Sequence, residues 1–231
     1  MNIQFKIFKN FPEVRCGLSQ KVDGSMGLSS QKMSGNFKTF FRKQGISPDQ
    51  VVRAGLEHKD RVAKSGPDSA GKTIPHCDAL HTTEKNLCLS VTVADCYPIY
   101  FFNPENGKVA IAHSGWKGCV SGLLPALVKT LSTNPERLLV GVGPGIGPCH
   151  FEIQNDILSE FNNFSSAVSF KDGKIFVDLP KIIRIQLEKA GVLAENIEFF
   201  NECTACLPGS YFSYRRDKPK ELETMVAYIY L

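Results

Sequence analysis

The sequence predicts an α+β fold in which mixed sheets pack on each other and helices lie on the outside. Strand-like runs outnumber helical patterns along the 231 residues. Several neighbouring strands are joined by connections short enough to be turns, which favours sheet-on-sheet packing over a strictly alternating βα order. No repeat of 20–50 residues and no low-complexity tract interrupts this pattern.

The strand candidates are short apolar runs, rich in β-branched and aromatic residues, bounded by Gly, Pro, Asn and Asp. In chain order they are 50–56, 87–95, 97–102, 108–114, 137–142, 174–178, 197–201 and 222–230.

Two helices carry clear signals. In 120–131 the apolar residues follow the i, i+3, i+4, i+7 spacing, and Pro125 lies near the start, where a missing N–H costs least. A second helix is expected over about 179–190, because Asp178 precedes it as a cap and Gly191 follows its end. Weaker patterns suggest helices at 35–44 and 154–162.

Composition sets limits on the class of protein. The hydrophobic share of 42% suits a chain that buries a real core, and 231 residues fit a single domain spanning 1–231. A net charge of +4 is too small to indicate a nucleic-acid or membrane partner. Lys6 and Lys9 interrupt the N-terminal apolar residues, so no signal peptide is predicted and a soluble, cytoplasmic protein is expected. The eight cysteines are accordingly expected to be thiols.

Two neighbouring strand-like runs each end on a reactive side chain. VTVADCYPIYFF carries Cys96, VAIAHSGWKG carries His113, and only NPENG separates them. If Phe102 pairs with Gly107 or Lys108 across this turn, Cys96 faces His113 or its neighbour Ser114 on one face of the hairpin. The spacing therefore predicts that the thiol and the imidazole lie close together.

A Cys–His pair supports three chemistries. It could form a nucleophilic dyad, or it could bind zinc together with a third ligand, or it could bind copper. Spacing leaves the third ligand open among His58, His76 and His81, although the separation of His76 and His81 allows at most one of those two to join. Asp95 is expected to point away from Cys96 and to accept a hydrogen bond from a nearby group or a turn amide.

Two further motifs invite functional readings. GVGPGIGP (141–148) does not match G-x-G-x-x-G in any register, so we interpret it as a rigid turn in a pocket wall. Cys203 and Cys206 form a C-x-x-C without a second pair, so no zinc ribbon is predicted. Trp116 could stack on a flat ligand or could belong to the core.

The segments ADCYP, AHSGWKG, GPGIGPCHFEI, ECT and YFSYRRD together closely resemble the laccase-domain family, whose members were first called multicopper polyphenol oxidases. The resemblance implies an α/β/β/α sandwich and a zinc-dependent purine nucleoside phosphorylase with adenosine deaminase activity. It implies adenosine, inosine, guanosine or methylthioadenosine as substrates, with phosphate as co-substrate. It also implies that His58, Cys96 and His113 are the metal ligands and the catalytic centre.

Basic residues are the candidates for binding the substrates, above all the co-substrate phosphate. We expect these to include Arg15, Lys117, Arg215 and Arg216. Lys117 stands where the family usually has arginine, so the charge is kept but the bidentate fork is lost. The residues flanking His58 also differ from the usual family pattern.

Three alternatives stay open. The first is a metal-free cysteine hydrolase or deamidase that uses Cys96 and His113. The second is a copper-dependent polyphenol oxidase, although a conventional multicopper centre needs many imidazoles and the chain has five histidines. The third is a non-catalytic protein that binds purines without converting them.

Overall fold

The computed structural model describes residues 3–27, 30–132 and 134–231. Their strands are β1 (Arg15–Leu18), β2 (Val51–Gly55), β3 (Val62–Lys64), β4 (Thr73–Pro75), β5 (Ala79–Thr82), β6 (Cys88–Val93), β7 (Tyr97–Asn103), β8 (Lys108–Ser114), β9 (Leu139–Val142), β10 (Glu152–Ile153), β11 (Val168–Lys171), β12 (Lys174–Val177), β13 (Ile197–Phe199) and β14 (Met225–Tyr230). The α-helices are α1 (Gln31–Lys43), α2 (Trp116–Ser121), α3 (Leu123–Leu131), α4 (Leu179–Lys189) and α5 (Tyr214–Asp217).

Two large sheets form the centre of the structure. One has the strand order β1-β14-β6-β2-β4, and the other has the order β13-β9-β7-β8-β5-β3. A small third sheet has the order β10-β12-β11. Both large sheets mix parallel and antiparallel neighbours. In the five-stranded sheet, β6 pairs parallel with β2 and antiparallel with β14. In the six-stranded sheet, β9 pairs parallel with β13 and antiparallel with β7.

The two large sheets share a buried apolar core. Leu89 and Val91 from β6 belong to the same cluster as Tyr100 from β7 and Ile111 from β8. On the far side of the six-stranded sheet, a second cluster packs α2, α3 and α4 against alternate residues of the same strands. On the far side of the five-stranded sheet, a third cluster packs α1. The predicted α/β/β/α sandwich is confirmed. Within the described residues, no helix has both the length and the apolar character needed to cross a bilayer.

Most predicted elements are confirmed, and the exceptions have local causes. The helix predicted over 120–131 is two helices, α2 and α3, because Gly122 between them has a φ of 86°. The segment predicted as helix 154–162 is a 3-10 helix at Asn155–Ala167 with a kink at Phe164. The short strands β1, β3, β4, β5, β10 and β11 are absent from the prediction.

The predicted register of the β7–β8 hairpin is wrong. Asn103 pairs with Lys108, so that Pro98, and not Cys96, faces His113. The Asn103 side chain accepts the N–H of Glu105, and the Asn106 side chain accepts the N–H of Lys108. These bonds close the turn between Asn103 and Lys108 and fix the register observed. Cys96 therefore lies beyond the ladder, in the turn between β6 and β7.

Candidate metal centre and active site

The structure brings together three side chains from three separate elements. His58 follows β2, Cys96 lies between β6 and β7, and His113 is near the end of β8. Their potential ligand atoms all lie within 4.8 Å of one another. The two imidazole rings meet edge to face with centroids 4.7 Å apart. His113 is buried, Cys96 is half-buried and His58 is exposed, so the group is closed on the core side and open on the other.

Asp78 holds two of these residues in place, a role that is not among the sequence predictions. Oδ1 of Asp78 accepts the backbone N–H of His58 at 2.9 Å and the ring Nδ1–H of His113 at 3.0 Å. Oδ2 accepts the backbone N–H groups of Glu57 and Lys59 at 3.2 and 2.9 Å. Because Nδ1 of His113 is used in this way, its Nε2 is the nitrogen left for a metal. The available signal in the sequence was an acidic residue directly before the short apolar pair Ala79 and Leu80.

The carboxylate of Asp78 is fully buried and is stabilised as an anion. Burial acts to raise the pKa of Asp78, but the hydrogen bonds from His113 and from the backbone of Lys59 and Glu57 outweigh burial and lower it. A fully buried carboxylate that accepts four N–H groups is a fixed negative charge behind the two imidazoles.

Cys96 and His113 are also electrostatically coupled. Burial acts to raise the pKa of Cys96, but the charge of His113 and hydrogen bonds from His113 and His58 lower it below the ordinary thiol value. Burial likewise acts to lower the pKa of His113, whereas the Cys96 thiolate and Asp78 raise it. Cys96 is therefore a thiolate near neutral pH, which is the form that binds a metal or attacks as a nucleophile.

Gly115 leaves the space that this arrangement needs. A Cβ atom at position 115 would lie 2.6 Å from Sγ of Cys96.

One thiolate and two imidazoles with an open side match the donor set of a catalytic zinc site, and the same donors also accept copper. The residues present therefore fit a metal ion.

The open side of the group faces a cavity of about 590 Å³. That volume lies within the range of pockets that enclose small organic ligands. Trp116 and Phe151 supply aromatic surface to its wall, and Ile146 lines it from the Gly/Pro-rich turn, as predicted for that segment. Glu152 and Gln154 add polar groups. The cavity thus offers flat apolar surface and hydrogen-bonding groups within reach of the three candidate ligands.

Asp95 supports the wall of the cavity. Its φ is 81°, which turns the chain sharply between β6 and β7. Its carboxylate accepts the hydroxyl of Thr204 at 2.6 Å and the backbone N–H of Arg215 at 2.7 Å. The expected hydrogen bond from a nearby group is therefore present, and the bond from the Arg215 amide ties the connection between β6 and β7 to helix α5.

Of the four basic residues predicted to bind substrate, Arg215 is the one that lines this cavity. Its Nη1 donates to the backbone oxygens of His150 and Glu152, at 3.2 and 2.6 Å. Its guanidinium lies 5.3 Å from the ring centre of Phe151. These contacts hold the Arg215 side chain along the cavity wall.

The other three have different surroundings. Arg216 donates to the backbone oxygens of Thr204 and Tyr211 and pairs with Asp217, which is a structural arrangement. Lys117 lies over the ring of Trp116, 5.6 Å from its centre. Arg15 is on β1, where it donates to the backbone oxygen of Gln44 and stacks on Tyr230. None of the three is among the residues lining the cavity.

The histidines that spacing left open lie elsewhere. His76 is exposed and contacts the carboxylate of Glu57. His81 is on β5, paired with Ala110. Among the described residues, the group around Cys96 therefore takes His58 as its third member.

Comparisons with known proteins identify the family and support the fold. A family profile described as "Multi-copper polyphenol oxidoreductase laccase" matches residues 18–231. Purine nucleoside phosphorylase YfiH of Escherichia coli is 32% identical over 204 residues, covering 87% of this chain and 82% of that protein. Purine nucleoside phosphorylase YlmD of Geobacillus stearothermophilus is 28% identical over 222 residues, covering 90% and 80%. The crystal structure of a Bacillus licheniformis hypothetical protein YfiH superposes with a TM-score of 0.90 at 27% identity, covering 96% of this chain and 94% of that one. This chain therefore belongs to the multi-copper polyphenol oxidoreductase laccase family.

Proposed function

We propose that this protein is a zinc-dependent purine nucleoside phosphorylase that also deaminates adenosine. The proposed substrates of phosphorolysis are adenosine, inosine, guanosine and methylthioadenosine, with phosphate as co-substrate. The observation that carries the proposal is that His58, Cys96 and His113 face a cavity of about 590 Å³ with aromatic walls. Relatives named purine nucleoside phosphorylase support the substrate class.

His58, Cys96 and His113 would hold the metal, which when bound supplies a Lewis acid at the inner end of the cavity. Asp78 keeps the His113 ring in one orientation and fixes the backbone that carries His58. Trp116 and Phe151 would stack against the purine ring, because flat apolar surface is what a nucleobase needs. The cavity walls would exclude water from the reacting bond.

Arg215 is the residue we propose to bind phosphate. It is the one lysine or arginine among the described residues that line the cavity. A guanidinium matches the oxygens of phosphate, and the carbonyls of His150 and Glu152 fix its position. In phosphorolysis, a phosphate oxygen bonds to C1′ of the ribose while the bond from C1′ to the purine nitrogen breaks. The purine leaves with the electron pair and takes up a proton.

Product analysis tests the proposed activity. Purified protein is incubated with adenosine, with and without phosphate, beside a Cys96→Ala variant, and products are identified by mass spectrometry. We expect adenine plus ribose 1-phosphate only with phosphate, inosine in either case, and loss of all products in the variant. Absence of every product from the metal-loaded wild type would contradict the proposal, and adenosine binding without conversion would favour a non-catalytic purine-binding protein.

Steady-state kinetics test the phosphate site. Arg215→Gln should raise the KM for phosphate at least about 10-fold, because a charge-assisted contact contributes roughly 1.5–3 kcal/mol, while the KM for nucleoside changes less. Arg137→Gln, which removes an exposed arginine paired with Glu105, is the matched control. If Lys117→Gln raises this KM and Arg215→Gln does not, phosphate binds beside α2 instead.

One observation favours a second candidate function. The lowered pKa of Cys96 beside His113 is also what a metal-free cysteine hydrolase or deamidase requires. Such an enzyme would keep its activity after chelation and would form a covalent adduct on Cys96. The family description points to copper as an alternative metal, so activity with zinc and with copper is compared on the same metal-free preparation.

A further inference from the structure

A second group of metal-binding side chains lies outside the centre described above. Cys149 and His150 follow the Gly/Pro-rich turn, and Cys203 and Cys206 lie in the loop after β13. The potential ligand atoms of all four residues lie within 4.8 Å of one another. Cys203 and Cys206 have no second ligand pair at typical spacing in the sequence. In the folded protein, Cys149 and His150 lie beside them and supply that pair.

The distances in this group resemble the edges of a tetrahedron around one ion. Nδ1 of His150 is 3.2 Å from Sγ of Cys149, 3.4 Å from Sγ of Cys206 and 3.8 Å from Sγ of Cys203. The sulfurs of Cys149 and Cys206 are 3.6 Å apart. Zinc–sulfur bonds of ~2.3 Å and zinc–nitrogen bonds of ~2.0–2.1 Å give tetrahedral edges of roughly 3.8 Å between sulfurs and roughly 3.6 Å between sulfur and nitrogen. The four distances given lie within a few tenths of an ångström of these edges, and the two remaining distances, from Sγ of Cys203 to the other two sulfurs, lie within 4.8 Å.

We propose that Cys149, His150, Cys203 and Cys206 form a second zinc site, with a structural role. Three thiolates and one imidazole fill four positions, so this site leaves no position open for substrate. A disulfide between Cys149 and Cys206 would use only two of the four groups and would leave the others without a role.

The surroundings of Cys203 suit a thiolate ligand. The backbone N–H of Gly147 donates to Sγ of Cys203 at 3.2 Å, and such bonds to sulfur stabilise the thiolate. Three thiolates around a divalent ion leave one net negative charge. The guanidinium of Arg216 lies against the loop, with Nη1 donating to the backbone oxygens of Thr204 and Ala205 at 2.8 and 3.2 Å.

The proposed site would join two loops that support the substrate cavity. Between these loops, Gly145 and Cys203 form an isolated bridge, and the N–H of Thr204 donates to the oxygen of Gly145. The backbone oxygen of His150 accepts from Arg215. The ion would thus fix the loops on either side of Arg215. The importance of this for substrate binding rests on the proposed function, whereas the proposal that zinc binds here does not.

Metal analysis of purified, zinc-replete protein tests the proposal. We expect about two zinc ions per wild-type chain and about one in each of Cys96→Ala and Cys206→Ser. The double variant should retain none. Cys16→Ala, which removes a buried thiol outside both groups, is the matched control and should match the wild type. Circular dichroism establishes that each variant is folded.

Cobalt titration of the Cys96→Ala protein gives a second readout that does not depend on activity. One equivalent of Co²⁺ should produce thiolate charge-transfer absorption, which His150→Ala should weaken and Cys206→Ser should reduce most. The proposal is overturned if folded Cys96→Ala protein holds no zinc and shows no such absorption. It is equally overturned if peptide mapping under native conditions finds Cys149 and Cys206 joined as a disulfide. Failure of the purine assays with zinc retained in Cys96→Ala would contradict the proposed function and leave this site standing.

Discussion

Asp78→Asn removes the negative charge that orients two metal ligands and keeps the size of the side chain. Asp78 accepts four N–H groups, two on each oxygen. Asparagine offers one acceptor oxygen, so two of the four donors lose their acceptor and face an NH₂ group. At about 1.5–3 kcal/mol for each bond to a charged group, the upper estimate of the loss is about 3–6 kcal/mol of folding free energy.

The loss of zinc binding free energy in Asp78→Asn should be smaller than this loss of folding free energy. Removing a residue that supports a metal ligand typically weakens metal binding about 10–100-fold, or roughly 1.4–2.8 kcal/mol. The assay is competition for zinc against a chelator of known affinity. It uses the Cys206→Ser background, so that only zinc bound by His58, Cys96 and His113 is measured. Asp60→Asn removes an exposed carboxylate from the same loop and is the matched control. A zinc affinity unchanged within about threefold in folded Asp78→Asn would refute the role assigned to Asp78.

Three further predictions concern space, charge and cooperativity. Gly115→Ala places a Cβ 2.6 Å from Sγ of Cys96 and should abolish metal binding by His58, Cys96 and His113. Gly66→Ala, whose new Cβ has nothing within 4 Å, is the control and should not affect metal binding. Metal analysis of both variants in the Cys206→Ser background tests this. In metal-free protein, Cys96 should be alkylated rapidly at neutral pH and more slowly as the pH falls through about 6, because the thiolate is the reactive form. His113→Ala should raise the pH at which alkylation is half-maximal. If peptide mapping finds that this pH is unchanged, the coupling of Cys96 to His113 is contradicted. Because the two large sheets share one core, residues 1–231 should unfold in urea as a single domain; fluorescence and circular dichroism transitions that fail to coincide would refute this.

Local patterns were sufficient to predict much of the fold. Helix α4 was predicted from the Asp178 cap and the glycine after its end, and the central strands β6 to β9 were predicted from apolar runs between turn residues. Short strands such as β10 and β11 were missed because two to four residues carry little periodicity, and only the neighbouring strand stabilises them.

The site was only partly predictable for a related reason. The spacing of Cys96 and His113 indicated their proximity, but the hairpin register depended on side-chain bonds from Asn103 and Asn106 that a count of turn residues does not reveal. Asp78 and the partner pair for Cys203 and Cys206 depend on contacts between segments distant in sequence. Such contacts are set by the stacking of whole layers, which no local pattern encodes.

The measurement that tests the central claim most directly is metal reconstitution of the activity. Metal-free protein receives zinc or copper in increasing equivalents, and release of adenine and ribose 1-phosphate from adenosine and phosphate is followed. We predict that zinc restores both products together, that copper does not, and that His58→Ala stays inactive at every zinc concentration. Full activity in the metal-free protein, or restored activity in the His58→Ala variant equal to wild type, would contradict a metal centre built from His58, Cys96 and His113.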